Sequence, residues 1–197
     1  MNTSRLEAFS DGVIAILITI MMLELHAPRG ADWPALRAVF PSLLSYLLSF
    51  VFLGIYWNNH HHMVHLVERV TGGILWANLH LLFWLSLVPF VTGWVSEDHS
   101  EPLPTAIYGC VLLASAVAYT ILQQTIIASQ GAKSPLRAAI GNDVKGRLSG
   151  LTYIAAIPLA FVHPMISDAL YTAVAITWLV PDRRIERVNM RAERGTS

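Results

Sequence analysis

Charge is what this chain has least of. Only 13% of its 197 residues are Asp, Glu, Lys or Arg, whereas 54% are hydrophobic. A soluble domain usually carries about 25% charged residues and covers its surface with them. A chain so short of charge needs an apolar solvent, and its mean hydropathy of +0.52 agrees. There is no excess of either sign: 13 basic residues balance 13 acidic ones. Nucleic acid is therefore not expected as a partner, because phosphate binding needs a basic excess. Cys110 is the sole cysteine, which excludes an intrachain disulfide and a cysteine metal cluster. Inside an apolar run it reads as a small buried hydrophobe. No serine stands in a Gly-x-Ser-x-Gly elbow, and there is neither a phosphate-binding loop nor a dinucleotide fingerprint. No enzymatic activity is expected. The N-terminus does not read as a cleaved signal peptide, since Arg5 is followed by Glu7 and Asp11 with no small-residue cleavage site.

What the chain has in quantity is long apolar runs. A spanning helix needs about 20 mostly apolar residues. Runs over 5–26, 36–59, 73–95, 105–129, 147–162 and 165–180 predict six helices. The second is open to extension through its histidines to residue 67. The last two are short for a span. Pro28, Gly30 and Pro34 mark the first loop, 96–104 is acidic and turn-rich, and 130–146 is a polar loop with room for a short helix. The expected fold is an all-α integral membrane protein, with residues 1–180 as one transmembrane unit and 181–197 as a charged tail. With six spans both termini share one side. That side receives eleven of the 13 lysines and arginines; Arg29 and Arg37 alone fall on the other. The positive-inside rule then predicts a multi-pass protein of the cell membrane with both termini cytoplasmic. Several of the six Trp residues, among them Trp33, Trp57, Trp94 and Trp178, lie near predicted helix ends, as in an aromatic belt.

Charged groups within a span are costly and usually face a partner or water. The first helix carries Arg5, Glu7, Asp11 and Glu24. Glu7 and Glu24 bracket the apolar run and suit the interfaces, while Asp11 is too short to reach water from one turn inside. The second helix ends Tyr56-Trp57-Asn58-Asn59-His60-His61-His62-Met63-Val64-His65. His61 and His65, at i and i+4, share a helical face. No carboxylate or cysteine stands beside them at ligand spacing, so neither a metal nor another cofactor is expected; an interfacial cluster bonded to neighbouring helices is the preferred reading. Ile16, Ile20 and Leu23 fall at i, i+4 and i+7 with Thr19 on their flank, one stripe of a helix. Such a stripe packs against a neighbouring helix more often than it lines a pore.

The first helix, Arg5-x-x-x-Phe9-Ser10-Asp11 followed by Gly12-Val13-Ile14-Ala15-Ile16-x-x-Thr19-Ile20-x-x-Leu23, resembles the signature of the transmembrane-protein-175 family of lysosomal potassium channels and their prokaryotic relatives. Trp57-x-x-His60 is similar to that family's second-helix element, and Asn78-Leu79 with Pro89 to its third. The likeness covers the first half of the chain in residues and the second half in helix count and hydropathy. It implies six helices per subunit, a homotetramer, and a central pore lined by helix one. The family lacks the Thr-Val-Gly-Tyr-Gly carbonyl filter, as does this sequence. By the same resemblance Ile16, Thr19, Ile20 and Leu23 line the pore. Arg5, Phe9, Ser10, Asp11, Trp57, His60 and Asn78 form a hydrogen-bonded cluster at its cytoplasmic end. Within it Asp11 is expected to pair with donors from both the second and the third helix. The implied function is a cation channel favouring potassium over other monovalent cations, working in a lipid bilayer. The alternative reading is a proton- or ion-coupled secondary transporter that uses Asp11 and His60 as its relay.

Overall fold

The computed structural model describes residues 3–98, 101–131, 134–141 and 143–179. The tail over 181–197, the end of the sixth predicted helix at Val180, and Lys133 lie outside the described residues. Among the described residues eight helices follow one another: α1 (Thr3–Leu23), α2 (Trp33–His65), α3 (Gly72–Ser86), α4 (Val88–Glu97), α5 (Pro102–Gln130), α6 (Pro135–Ile140), α7 (Val144–Leu159) and α8 (Pro164–Leu179). Several starts are dictated locally. The Asp32 carboxylate accepts from the Ala35 amide at 3.0 Å, the Thr71 hydroxyl from Ile74 and the Asp143 carboxylate from Gly146, each satisfying an amide that a first turn leaves without a partner.

The boundaries depart from the sequence reading in identifiable ways. The second helix does run on through the histidines and stops at His65. The third predicted helix is broken into α3 and α4 at Leu87. Pro89 has no amide hydrogen to offer Leu85 and its ring crowds that carbonyl, so the helix cannot continue unbroken. The polar loop does hold a short helix, α6. Cys110 is exposed rather than buried, because α5 turns an apolar face outward as well as inward. Among the described residues four stretches are long and apolar enough to cross a membrane: Thr3–Leu23, Phe40–His65, Gly72–Glu97 and Pro102–Gln130. At 16 residues each, α7 and α8 rise roughly 24 Å, short of the ~30 Å hydrocarbon layer.

The helices meet at two ends. At one, the Thr3 hydroxyl donates to the Val67 carbonyl, Gln130 donates to the Leu66 carbonyl at 2.6 Å, and the Lys145 ammonium reaches the Thr177 carbonyl. At the other, Ser42 donates to the Ser96 carbonyl at 3.1 Å and Tyr171 to the Thr105 carbonyl at 3.2 Å. α5 runs through the middle, against α3, α4, α7 and α8, with Leu112, Ala118, Leu122 and Ile126 sealed from solvent. At Gly109 a side chain of α8 presses against α5: a methyl group there would collide with the Tyr171 hydroxyl. α1 lies on the outside of this bundle, packed on α2, α3 and α4.

Candidate functional site: an outer helix and its polar anchor

α1 is two-faced. Leu6, Ser10, Ile14, Leu17 and Met21, spaced three and four apart, are buried against the other helices. On a second face, Arg5, Phe9, Ile16, Ile20 and Leu23 fall within about 60° of one another at roughly 100° per residue. All five are exposed, Ile16 by 57% and Leu23 by 79%. Thr19, on the flank of this stripe, is also exposed and donates its hydroxyl hydrogen back to the Ile16 carbonyl at 2.8 Å. Among the described residues none covers the stripe, which leaves it to face lipid or another molecule.

The buried face is pinned by a chain of side chains. His60 on α2 donates from Nε2 to the Asn78 amide oxygen at 2.7 Å. Asn78 on α3 donates from Nδ2 to the Ser10 hydroxyl at 3.0 Å, and Ser10 passes its own hydrogen to the Leu6 carbonyl at 2.9 Å. The one-way order of donation fixes His60 as the Nε2–H tautomer. All three side chains are inaccessible to solvent. Such a chain joins three helices, and its directional bonds fix the rotation of α1 in a way that apolar packing alone does not.

Asp11 belongs to a separate contact. It accepts from the indole nitrogen of Trp57 at 3.0 Å, at the edge of the bundle. It was expected to reach donors on both the second and third helices; the third helix sends its amide to Ser10 instead. Arg5 and Phe9, expected with the cluster, stand on the exposed face of α1, and no hydrogen bond joins Arg5 to the cluster among the described residues.

The sequence reading also missed a partner. Glu7 of α1 lies against the last turns of α2, with one carboxylate oxygen 2.7 Å from His61 Nδ1 and 3.4 Å from His65 Nε2. The histidines do have a carboxylate at ligand distance, supplied by another helix. Sequence spacing shows only residues that share a helix, so nothing in it signals this contact. Trp57 stacks on His61, with ring centroids 6.1 Å apart, which sets the histidine pair beside the Trp57–Asp11 bond.

The comparisons with known proteins point to one family, whose animal members from Danio rerio to Homo sapiens carry the name endosomal/lysosomal proton channel TMEM175. The family described as endosomal/lysosomal potassium channel TMEM175 matches residues 5–89, the stretch that holds the polar anchor and the exposed stripe. A potassium channel of Chryseobacterium sp. (strain P1-3) is 50% identical over 187 residues, covering 95% of this chain and 97% of its own. A potassium channel of Streptomyces collinus is 34% identical, over 89% of this chain and 91% of its own. The crystal structure of a lysosomal potassium-selective channel TMEM175 homolog from Chamaesiphon minutus superposes with a TM-score of 0.81 at 28% identity, covering 91% of this chain and 97% of that one. An apolar helical bundle with uncovered outer faces, matched along nearly its whole length by such relatives, is a membrane protein of the TMEM175 family.

Proposed function

We propose that the chain is one subunit of a homotetrameric cation channel that favours potassium, with six membrane spans per subunit and α1 of each copy facing a central pore. The observation that carries this reading is the division of α1. Its Ser10 face is fastened to α2 and α3, while the stripe of Phe9, Ile16, Ile20 and Leu23 has no cover among the described residues. Other helices also expose apolar side chains, as lipid-facing helices must. On α1 the bulky residues stand with Arg5 and Thr19 on a face whose rotation is fixed by the buried chain through Ser10.

Four copies of the stripe make stacked rings of isoleucine and leucine. A narrow apolar ring holds no stable column of water, so it gates by dewetting and opens when the helices move apart. Potassium holds its water less tightly than sodium, so a ring poor in ligands favours it, and only modestly in the absence of a carbonyl cage. Residues 1–180 form the channel unit in this reading. The end of the bundle that carries Arg5, Arg69, Arg137, Lys145 and Arg147 faces the cytoplasm of a cell membrane. The transporter reading gains nothing from the geometry: Asp11 bonds to Trp57 and His60 to Asn78, and no hydrogen-bonded path links the two among the described residues.

The test is the reversal potential of the purified protein in a planar bilayer, with potassium on one side and sodium on the other. Unitary currents that reverse toward the potassium equilibrium potential are expected. The variant Ile16→Asn should conduct more and discriminate less. Saturable flux without unitary currents would replace the channel by a carrier, and unchanged permeation in Ile16→Asn would remove Ile16 from the pore.

A further inference from the structure

Glu7, His61 and His65 each turn one ligating atom to a common point, all within 4.8 Å of one another. We propose that they form a binding site for a divalent transition metal of the zinc type, bridging α1 and α2. The site lies on a different face from the exposed stripe of α1, and it does not depend on conduction.

The donor set suits such an ion. Two imidazoles and one carboxylate make up three of the four positions of a tetrahedral zinc site, at bonds of about 2.0–2.2 Å. Those bonds place the ligating atoms roughly 3.3 Å apart. His65 Nε2 and the Glu7 oxygen are already at 3.4 Å; His61 Nδ1 has to draw back from its 2.7 Å contact, and the two histidine nitrogens, within 4.8 Å of each other, have to settle at the same spacing. The fourth position falls to water, because the site is open: the side chains of His61 and His65 are 36% and 54% exposed, while Glu7 is held at 18%.

As a hydrogen-bonded group the trio is incomplete. His61 is within bonding distance of the carboxylate oxygen, but His65 at 3.4 Å is too far for a strong bond. The two imidazole rings lie 4.5 Å apart at 83°, so protonating both sets like charges side by side. A single divalent cation satisfies two neutral imidazole lone pairs and a carboxylate together. The location adds to this: His61 and His65 occupy the last turns of α2, where the carbonyl end of a helix favours a cation. Trp57, stacked on His61, limits that ring's rotation, as outer groups do around metal ligands.

The experiment is isothermal titration of the full-length protein in detergent with zinc chloride in a non-coordinating buffer, paired with thermal melts. One zinc per chain is expected, with a rise in melting temperature, since an ion that binds only the folded state stabilises it. Glu7→Gln and His65→Gln should each weaken binding at least tenfold, and the double variant should lose the thermal shift. His80→Gln, at an exposed histidine on α3 away from the trio, should bind as the wild type does. His65 is more than half exposed, so its variant keeps the test decisive even if Glu7→Gln folds poorly. No zinc binding by the wild type, equal affinity in His65→Gln, or a loss confined to His80→Gln would each overturn the site.

Discussion

Asn78 is the joint of the polar chain: its carbonyl takes the His60 hydrogen and its amide reaches Ser10. In Asn78→Ala, Ser10 keeps its bond to the Leu6 carbonyl, but the Nε2–H of a fully buried imidazole loses its acceptor. An unsatisfied buried donor costs about 1–3 kcal/mol. Asp11→Ala removes one bond at the bundle edge, where the Trp57 ring is 44% exposed and its indole can turn to water. Bonds between membrane helices average about 0.6 kcal/mol, so the smaller effect belongs to Asp11. Thermal unfolding of the two variants in detergent should rank Asn78→Ala well below Asp11→Ala; the opposite ranking would make Asp11 the anchor. The sequence singled out Ser10, Asp11, Trp57, His60 and Asn78, because all of them sit in elements with a family likeness, and each makes a side-chain bond to another of the set. It did not show how they pair. Pairing depends on the rotation of three helices about their axes, and a shift of one residue, roughly 100° of turn, separates Ser10 from Asp11. Glu7 was hidden for the same reason, since its histidines belong to another helix.

At the scale of elements, hydropathy located every long helix, because an apolar run of this length has few other places to go. It could not see interruptions that leave composition unchanged. Leu87 is as apolar as its neighbours, and the break there comes from backbone chemistry at Pro89 two residues on. Nor could it see close approaches. α5 and α8 touch where Gly109 faces Tyr171, a buried side chain whose hydroxyl donates to the Thr105 carbonyl. The contact needs a residue without a side chain on α5. Gly109→Ala should therefore push α8 away despite alanine's better helix propensity. Overpacking of this kind costs about 1–3 kcal/mol, against about 1 kcal/mol gained in propensity. A lower melting temperature is expected, and a second substitution, Tyr171→Phe, which removes the colliding oxygen, should restore part of it. A higher melting temperature in Gly109→Ala alone would mean that the propensity gain outweighs the collision and that this contact does not set the distance between α5 and α8.

For the whole molecule the open question is what covers α1. Beside the bulky stripe runs a second exposed line of small residues, Ala8, Gly12, Ala15 and Thr19, again three and four apart. In a bilayer, lipid tails are as apolar as leucine, so helices associate by close fit, and small residues are what let two backbones approach. An arrangement with bulky side chains toward a central axis and small ones toward the neighbouring copy uses both lines at once. Gly12 gives a clean test. No described side chain or neighbouring helix lies within 4 Å of where a Cβ on Gly12 would stand, so a methyl group there meets no clash among the described residues. Alanine-like propensity makes Gly12→Leu favourable for the isolated helix by up to about 1 kcal/mol. Any loss must then come from contacts between copies. Light scattering of the detergent-purified protein should give a mass of four chains for the wild type and a smaller assembly for Gly12→Leu. The helical circular dichroism of the variant should be undiminished. A variant that remains four-fold would move the neighbour-facing surface off this line of α1, and with it the rotation assigned to the stripe of Ile16 and Ile20.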